Sequence, residues 1–219
     1  METKTIGELK ILIPDLDPRD LDPVAEEPDE DVHEALVDGA SWTGNRLGAA
    51  RISQSHLIGV DLSDAVWRNV TVYGCRFERV DLSSARLTGT TIERCEFVGC
   101  RMTGLNLADA TLKNVVFDDC RLDYGTLTKV RTSGPVGLTN CNLTNVILSN
   151  CDLTKAAFNA CRFTEVELAG CDLRGADLRG NELTAVIGLS SLRGAILAEE
   201  QLAALANIAA RELEIDVRA

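Results

Sequence analysis

The chain has 219 residues, and its 34 acidic and 22 basic side chains give a formal net charge of −12. No apolar run approaches the ~18 residues that a membrane span requires, and the N-terminal residues are too acidic for a signal peptide. We therefore expect a single elongated cytoplasmic domain with tails, which neither enters a membrane nor binds nucleic acid directly, since phosphate binding needs clustered basic residues.

Residues 1–34 form an acidic, proline-rich N-terminal arm. They hold twelve acidic and three basic residues, whereas the rest of the chain is close to neutral. The apolar stretch Leu9–Ile13 predicts a short strand. Residues 14–31 then contain four prolines and nine acidic residues. This composition predicts an extended, largely solvated arm that is disordered or laid across the first part of the fold or a basic partner.

Every fifth residue from Val37 onwards is large and apolar. The series runs to Leu127, is interrupted at Thr132, and continues one residue late from Leu138 to Leu183, so that 29 of 30 positions are apolar. A period of five fits neither an α-helix nor a single β-strand. The residue two positions earlier is small in 27 of 30 cases, the exceptions being Asn45, Leu105 and Asn181. Both series therefore predict inward-facing positions of one repeated unit.

Several repeat units share a small or aliphatic residue followed by Asp or Asn and then Leu, namely residues 60–64, 105–109, 141–145 and 176–180. This pattern resembles the Ala-Asp/Asn-Leu-x-x repeat of the pentapeptide-repeat family over roughly residues 35–185. The resemblance implies an all-β solenoid, a right-handed quadrilateral β-helix with four pentapeptides per coil. It predicts about 7–8 coils over residues 35–190, with a register shift at residues 133–137.

A 20-residue coil places residues 20 apart, or 21 across the shift, directly above one another at ~4.8 Å. One predicted column then contains Phe77, Phe97, Phe117, Leu138 and Phe158. All eight cysteines occupy the small inward position: Cys75, Cys95, Cys100, Cys120, Cys141, Cys151, Cys161 and Cys171. We interpret them as buried free thiols, because stacked side chains point the same way, which opposes a disulfide, and do not converge tetrahedrally on a zinc ion.

Residues 191–219 form the predicted C-terminal cap, which would cover the open end of the solenoid. Residues 199–213 predict an amphipathic helix, after which Leu213, Ile215 and Val217 alternate like a short strand. The apolar stripe of this helix comprises Leu202, Leu205, Ala209 and Leu213. In topoisomerase-directed members of the family the C-terminal end also forms a two-fold dimer. The resemblance therefore implies that this stripe is a cap or dimer surface and that the chain is a homodimer.

No group of residues predicts catalysis. His33 lies in the acidic arm, and His56 precedes the inward Leu57 and is therefore expected to face solvent. The chain has no P-loop or dinucleotide motif, and its many aspartates occupy the second position of the repeat. We therefore expect no enzyme activity, no cofactor and no metal site. Three stacked arginines, at positions 101, 121 and 162, are either solvated or able to hold an acidic partner.

The resemblance also implies a function. Some members of the family bind bacterial type II topoisomerases, DNA gyrase above all, by imitating the shape and charge of a DNA duplex, and they inhibit the enzyme or protect it from toxins or antibiotics. The candidate partner-binding surface here comprises Glu78, Glu96, Asp118, Asp119 and Asp177. However, arginines share its columns, and the long loops of the plasmid-borne quinolone-resistance members are absent. The alternative is a rigid protein–protein interaction scaffold with an unidentified partner.

Overall fold

Regular corners bend the chain into coils. In the computed structural model, which describes residues 2–216, every fifth residue from Glu34 to Lys129 has a positive φ. A left-handed backbone is costly for β-branched residues, and none of these corner positions carries one. The corners fall two residues after the inward apolar positions, so the five-residue period of the sequence is the length of one side of the coil.

Short strands lie between the corners of the described chain. The first are β1 (Glu2–Ile6), β2 (Leu9–Ile13), β3 (Asp22–Pro23), β4 (Val32–His33), β5 (Ala35–Asp38), β6 (Arg46–Gly48), β7 (Arg51–Ser53), β8 (His56–Ile58), β9 (Val66–Arg68), β10 (Thr71–Tyr73), β11 (Arg76–Glu78) and β12 (Arg86–Thr88). The others are β13 (Thr91–Val98), β14 (Asn106–Ala108), β15 (Thr111–Asp118), β16 (Thr126–Thr128), β17 (Arg131–Thr132), β18 (Val136–Thr139), β19 (Ile147–Ser149), β20 (Ala156–Asn159), β21 (Arg162–Phe163), β22 (Glu167–Ala169) and β23 (Glu182–Leu183). Helical segments comprise 3₁₀ turns at Pro18–Asp20, Leu189–Leu192 and Glu199–Gln201 and the helix α1 (Leu202–Glu212).

From β3 onwards the strands pair in parallel with the coil above and the coil below. β5, β8, β11, β13, β15, β18 and β20 stack on one side, which we call the phenylalanine face, and β6, β9, β12, β14, β16, β19 and β22 stack on another. β4, β7 and β10 belong to a third side, and a series of single bridges from Ser41↔Asp61 to Asn142↔Arg162 marks the fourth. The chain is thus a four-sided parallel solenoid of about 8 coils, which confirms the predicted fold.

The predicted inward columns are present. Phe77 stacks on Phe97 with ring centroids 4.6 Å apart, Phe97 stacks on Phe117 at 4.9 Å, and Leu138 and Phe158 continue the column in register. All eight cysteines are buried free thiols. A hydrogen bond with the Cys120 thiol, together with burial, raises the pKa of Cys141 to about 12. An interior gap of about 50 Å³ is lined almost entirely by apolar side chains, so the rod is filled rather than hollow.

The register shift is a local change at one corner. The series of positive φ angles runs to Lys129, is absent at Gly134 and resumes at Asn140. Val136 pairs with Val115, 21 residues earlier. Thr132 nevertheless stays in the inward position, buried, and its hydroxyl donates a hydrogen bond to the carbonyl of Asp152 at 3.2 Å. The single interruption in the apolar series is therefore a satisfied core threonine, and the extra residue lies beyond it.

The N-terminal arm lies across the first coil, one of the expected alternatives, and most of its side chains remain exposed. β3 pairs with β5 and β4 with β7, so residues 22–33 add a partial coil to the end of the rod. The amide of the inward Asn45 donates to the carbonyl of Pro28 at 2.9 Å, and the Trp42 ring nitrogen donates to Ala25. The backbone of the arm thus pairs with the open edge of the first coil, and its Val32 side chain packs against the core.

The C-terminal end is closed by side chains as well as by α1. The inward Asn181 and the buried Gln201 both donate to the carbonyl of Leu178, and the Glu212 carboxylate accepts from the backbone of Gly188 and Leu189. No helix within residues 2–216 is long and apolar enough to cross a membrane. The strand predicted after α1 is not present in its described part, because Leu213 lies in a turn and Ile215 in irregular structure, and Val217 lies outside the described residues.

Candidate functional site

The five predicted acidic residues all lie on the outer surface of the phenylalanine face. Glu78 and Asp118 follow inward phenylalanines on β11 and β15, Glu96 precedes one on β13, and Asp119 is an exposed corner residue. Asp177 lies three coils further along. Glu96 is only 5% exposed and Asp177 only 8% exposed, although outward positions of a solenoid normally face solvent. Another part of the chain therefore covers this surface.

The cover is a β-hairpin formed by residues 2–13, in which β1 and β2 pair antiparallel. Ile6 and Ile11 are buried against Val116 and Ala157 of the rod. Gly137 lies below both isoleucines, and a Cβ atom at this position would be 2.5 Å from Ile6 Cδ1 and 2.7 Å from Ile11 Cδ1. The hairpin therefore packs so closely on the rod that a Cβ atom at position 137 would force both isoleucines to shift.

Lys4 of the hairpin joins two of the predicted acidic residues. Its Nζ lies 2.7 Å from Asp118 Oδ2 and 3.2 Å from Glu96 Oε1. Burial disfavours the charged ammonium, but the hydrogen bonds to Asp118 and Glu96 outweigh it, so the pKa of Lys4 is raised. Arg76 Nη1 approaches Glu96 from the other side at 3.3 Å. Glu96 is therefore a buried carboxylate between two cations, with its charge compensated.

Two of the other predicted acidic residues, Asp177 and Glu78, also have basic neighbours. Asp177 accepts a hydrogen bond from Arg179 Nη2 at 2.7 Å, which lowers the pKa of Asp177, and the same guanidinium lies 3.2 Å from Glu8 at the tip of the hairpin. Glu78 contacts the guanidinium of Arg79. The surface is therefore a network of opposite charges rather than a stripe of one sign.

His56 belongs to the same surface, and its predicted exposure is wrong. The residue is 8% exposed, because it is stacked between Leu36 and Arg76 of the neighbouring coils. Its Nε2 lies 3.4 Å from Glu78. Burial, followed by the positive charge of Arg76, lowers the pKa of His56, so the ring is neutral near pH 7. A neutral imidazole in a packed position has a structural role here.

The predicted C-terminal stripe divides between two environments. Leu205 packs against the core beside the buried Ile208, a residue that the predicted stripe did not include. Leu202 and Leu213 are 56% and 68% exposed. They are eleven residues apart, three helical turns, and so project from the same side of α1. Ala209 lies between these two environments and is half-buried.

The remaining chemistry of the described chain is sparse. Among residues 2–216, no three His, Cys, Asp or Glu side chains converge where they could hold a metal ion. Of the arginine column, Arg101 pairs with Asp81 at 3.2 Å and Arg162 with Glu182 at 3.7 Å. These ion pairs are largely exposed and contribute little to stability. The contacts between the hairpin and the phenylalanine face therefore remain the best-defined candidate site among residues 2–216.

Sequence reasoning missed the hairpin and the rod residues beneath it. β1 contains Thr3, Lys4 and Thr5, so it lacks the apolar alternation that identifies a strand. A signal was nevertheless present in the repeat. Val116, Gly137 and Ala157 occupy the second position of the five-residue repeat in three consecutive coils, and this position is usually polar in the other repeats. Consecutive apolar or small residues at an outward position indicate that something packs on them.

Two protein-family models match the part of the chain that contains the five-residue repeat. A model described as pentapeptide repeat region matches residues 70–134, and one described as pentapeptide repeats (8 copies) matches residues 46–83, 138–180 and 161–186. No curated protein sequence matches the chain.

Several solved structures are similar. HetL, a pentapeptide repeat protein involved in heterocyst differentiation regulation from the cyanobacterium Nostoc sp. strain PCC 7120, is 20% identical over 78% of this chain and 90% of its own, with a TM-score of 0.42. A trypsin-treated form of QnrB1, a plasmid-mediated fluoroquinolone resistance protein, is 15% identical over 90% and 95%, with a TM-score of 0.45. Rfr23 from the cyanobacterium Cyanothece 51142 is 23% identical over 48% and 88%, with a TM-score of 0.39.

Proposed function

Since the chain belongs to the pentapeptide-repeat family, we propose that it is a non-enzymatic, rigid scaffold that binds another protein through the side of its rod. The observation that carries this proposal is the phenylalanine face, which already holds a polypeptide segment through apolar contacts and ion pairs. A filled core and a continuous parallel ladder make the rod a stiff platform for a protein partner.

A second candidate is a DNA mimic that binds DNA gyrase or another type II topoisomerase. The observation that favours it is the acidic N-terminal end, where Asp22, Glu26, Glu27, Asp29 and Glu30 are exposed together. A DNA mimic needs a long surface of negative charge. On the phenylalanine face, however, carboxylates of the candidate surface are paired with Lys4, Arg76, Arg79 and Arg179, which leaves little uncompensated charge.

We expect the purified protein to leave gyrase-catalysed DNA supercoiling unchanged up to tens of micromolar, because its acidic face is neutralised and covered. The measurement is a supercoiling assay at low and at physiological salt, with bovine serum albumin at equal concentration as the control. Inhibition at low micromolar concentration that weakens as the salt concentration rises would favour the DNA-mimic function over the scaffold function. Charge reversal of Asp118 and Asp119 would then test whether these residues contact the enzyme.

We also propose that the chain forms a homodimer through the exposed side of α1, where Leu202, Leu213 and Ile215 are more than half exposed. We expect the wild-type protein to sediment as a dimer at micromolar concentration and the Leu202→Asp/Leu213→Asp variant as a monomer, because two charges would enter an apolar interface. Asn207→Asp, an exposed substitution on another side of α1, is the control. A monomeric wild-type protein in analytical ultracentrifugation would rule out the dimer.

A further inference from the structure

The outward positions under the hairpin differ from those of the adjacent side of the same coils. Val116, Gly137 and Ala157 form an apolar strip along the phenylalanine face, whereas the residues five or six positions earlier, Thr111, Arg131 and Asp152, are polar. The strip is bordered by the carboxylates of Glu96 and Asp118. The rod therefore presents an apolar floor with a negative edge, which selects a segment that is apolar on one side and carries a nearby cation.

The hairpin matches each part of this surface. Ile6 pairs with Leu9 and Ile11 with Lys4, so the two isoleucines lie diagonally on the inner side of the hairpin and cover the apolar strip, and Gly137 leaves room for both side chains. Lys4, two residues before Ile6, reaches the negative edge. Thr3 and Thr5, on the outer side of the same strand, are exposed. Recognition therefore uses only one side of the hairpin.

The hairpin is also separable from the rod. β1 and β2 form their own two-stranded sheet and do not join the ladder of the coils. The apolar contacts of the hairpin form a cluster separate from the core of the rod. Its backbone donates a hydrogen bond to a rod side chain, from Leu12 N to Asn114 Oδ1 at 3.3 Å. Release of the hairpin would thus break side-chain contacts and leave the ladder and the core intact.

From these contacts, and resting on the function proposed above, we propose that the phenylalanine face is a docking surface that residues 2–13 occupy in cis. Its partner is a protein segment of the same chemistry: a two-stranded β-segment that presents two branched aliphatic side chains on one side, with a lysine or arginine two residues from one of them. The hairpin then acts as an internal competitor, and the partner binds when it replaces the hairpin.

The test uses full-length variants and a synthetic peptide of residues 1–14 with a fluorescent label at its C-terminus. Ile6→Asp/Ile11→Asp releases the hairpin, because two charges cannot remain on the apolar strip, and leaves the docking surface itself unchanged. Thr3→Asp/Thr5→Asp places the same two charges on the outer side and is the matched control. Thermal melts and hydrogen exchange establish that each rod is folded and which hairpins are released.

We expect the peptide to bind the Ile6→Asp/Ile11→Asp variant at least about tenfold more tightly than wild type or the threonine control, because their own hairpins compete. A peptide with Lys4→Glu should bind the opened variant more weakly, since it would meet Glu96 and Asp118. Equal binding to the opened and closed proteins, or none to the opened rod, would overturn the proposal. The supercoiling and sedimentation results do not depend on peptide binding. A failure of the docking proposal can therefore be distinguished from a failure of the proposed scaffold function.

Gly137→Val provides an independent control on the docking surface. When it is added to Ile6→Asp/Ile11→Asp, the new side chain fills the space that both isoleucines use, so peptide binding should be lost. The equivalent substitution Gly48→Val, where nothing lies within 4 Å of the added Cβ, should leave binding unchanged. Peptide binding that persists in the Gly137→Val triple variant would show that the peptide binds elsewhere and would contradict the proposed surface.

Discussion

Replacement of Phe97 by aspartate is expected to unfold the rod. The ring lies between Phe77 and Phe117, with centroids 4.6 Å and 4.9 Å away, and the residue is 4% exposed. Loss of the ring alone costs about 4 kcal/mol, and an unpaired carboxylate in its place adds several kcal/mol more. The stability of a solenoid depends on contacts between neighbouring coils, so the substitution is expected to disrupt the packing between coils in the middle of the rod.

The measurement is a thermal melt followed by circular dichroism. Phe97→Asp should show no cooperative transition, whereas Thr88→Asp, an exposed substitution two sides earlier in the same coil, should melt like wild type. A cooperative melt of Phe97→Asp within a few degrees of wild type would contradict the inward stacking of the phenylalanines.

Replacement of Asn181 by leucine is expected to destabilise the C-terminal end by about 3 kcal/mol, because it leaves buried backbone groups without partners. The Asn181 amide donates to the carbonyls of Phe158 and Leu178, both at 2.8 Å, and its oxygen accepts from Cys161 N at 2.8 Å. Leucine supplies none of these bonds, although it is apolar like many inward residues. The loss should lower the thermal midpoint by roughly 6–12 °C.

Differential scanning calorimetry measures this change, and hydrogen exchange locates it. Exchange should increase in residues 178–212 and remain unchanged in coils near Phe77. Asn106→Leu, at an exposed position, is the control for the change in composition. An Asn181→Leu protein as stable as that control would show that the amide does not close the end of the rod.

Much of the rod could be predicted from sequence because one short rule repeats many times. The inward positions, the phenylalanine column and the buried cysteines all follow from a period of five and a coil of 20 residues. Even the exceptions have a physical reason. Asn45 and Asn181 interrupt the small inward positions near the two ends, where their amides donate to the backbone carbonyls of Pro28 and Phe158.

Leu105 is the third exception, and the next coil holds a glycine, Gly125, in the same column. A Cβ atom at Gly125 would lie 3.4 Å from the Leu105 carbonyl oxygen and 2.7 Å from that of Leu122, so the backbone leaves no room for a side chain there. The alignment of Leu105 with Gly125 is visible only when the repeats are compared as columns of 20-residue coils.

The candidate site was less predictable because it depends on a contact between distant parts of the chain. The sequence identifies Glu96 and Asp118 as outward acidic residues, but their partner Lys4 is separated from them by 92 and 114 positions. The arm was interpreted from its overall composition, which is dominated by prolines and acids. The overall composition does not reveal the hairpin, which contacts the rod through Ile6, Ile11 and the ion pairs of Lys4.

Hydrogen exchange of residues 2–13 in the wild-type protein tests most directly whether the hairpin closes the phenylalanine face. An isolated two-stranded hairpin is only marginally stable in water, so protection of its amides requires docking on the rod. We expect slow exchange in wild type and in Gly48→Val, and exchange at least about tenfold faster in Gly137→Val, which removes the space for Ile6 and Ile11. Wild-type exchange at the rate of an unstructured peptide would contradict a closed face and, with it, the proposed competition for docking.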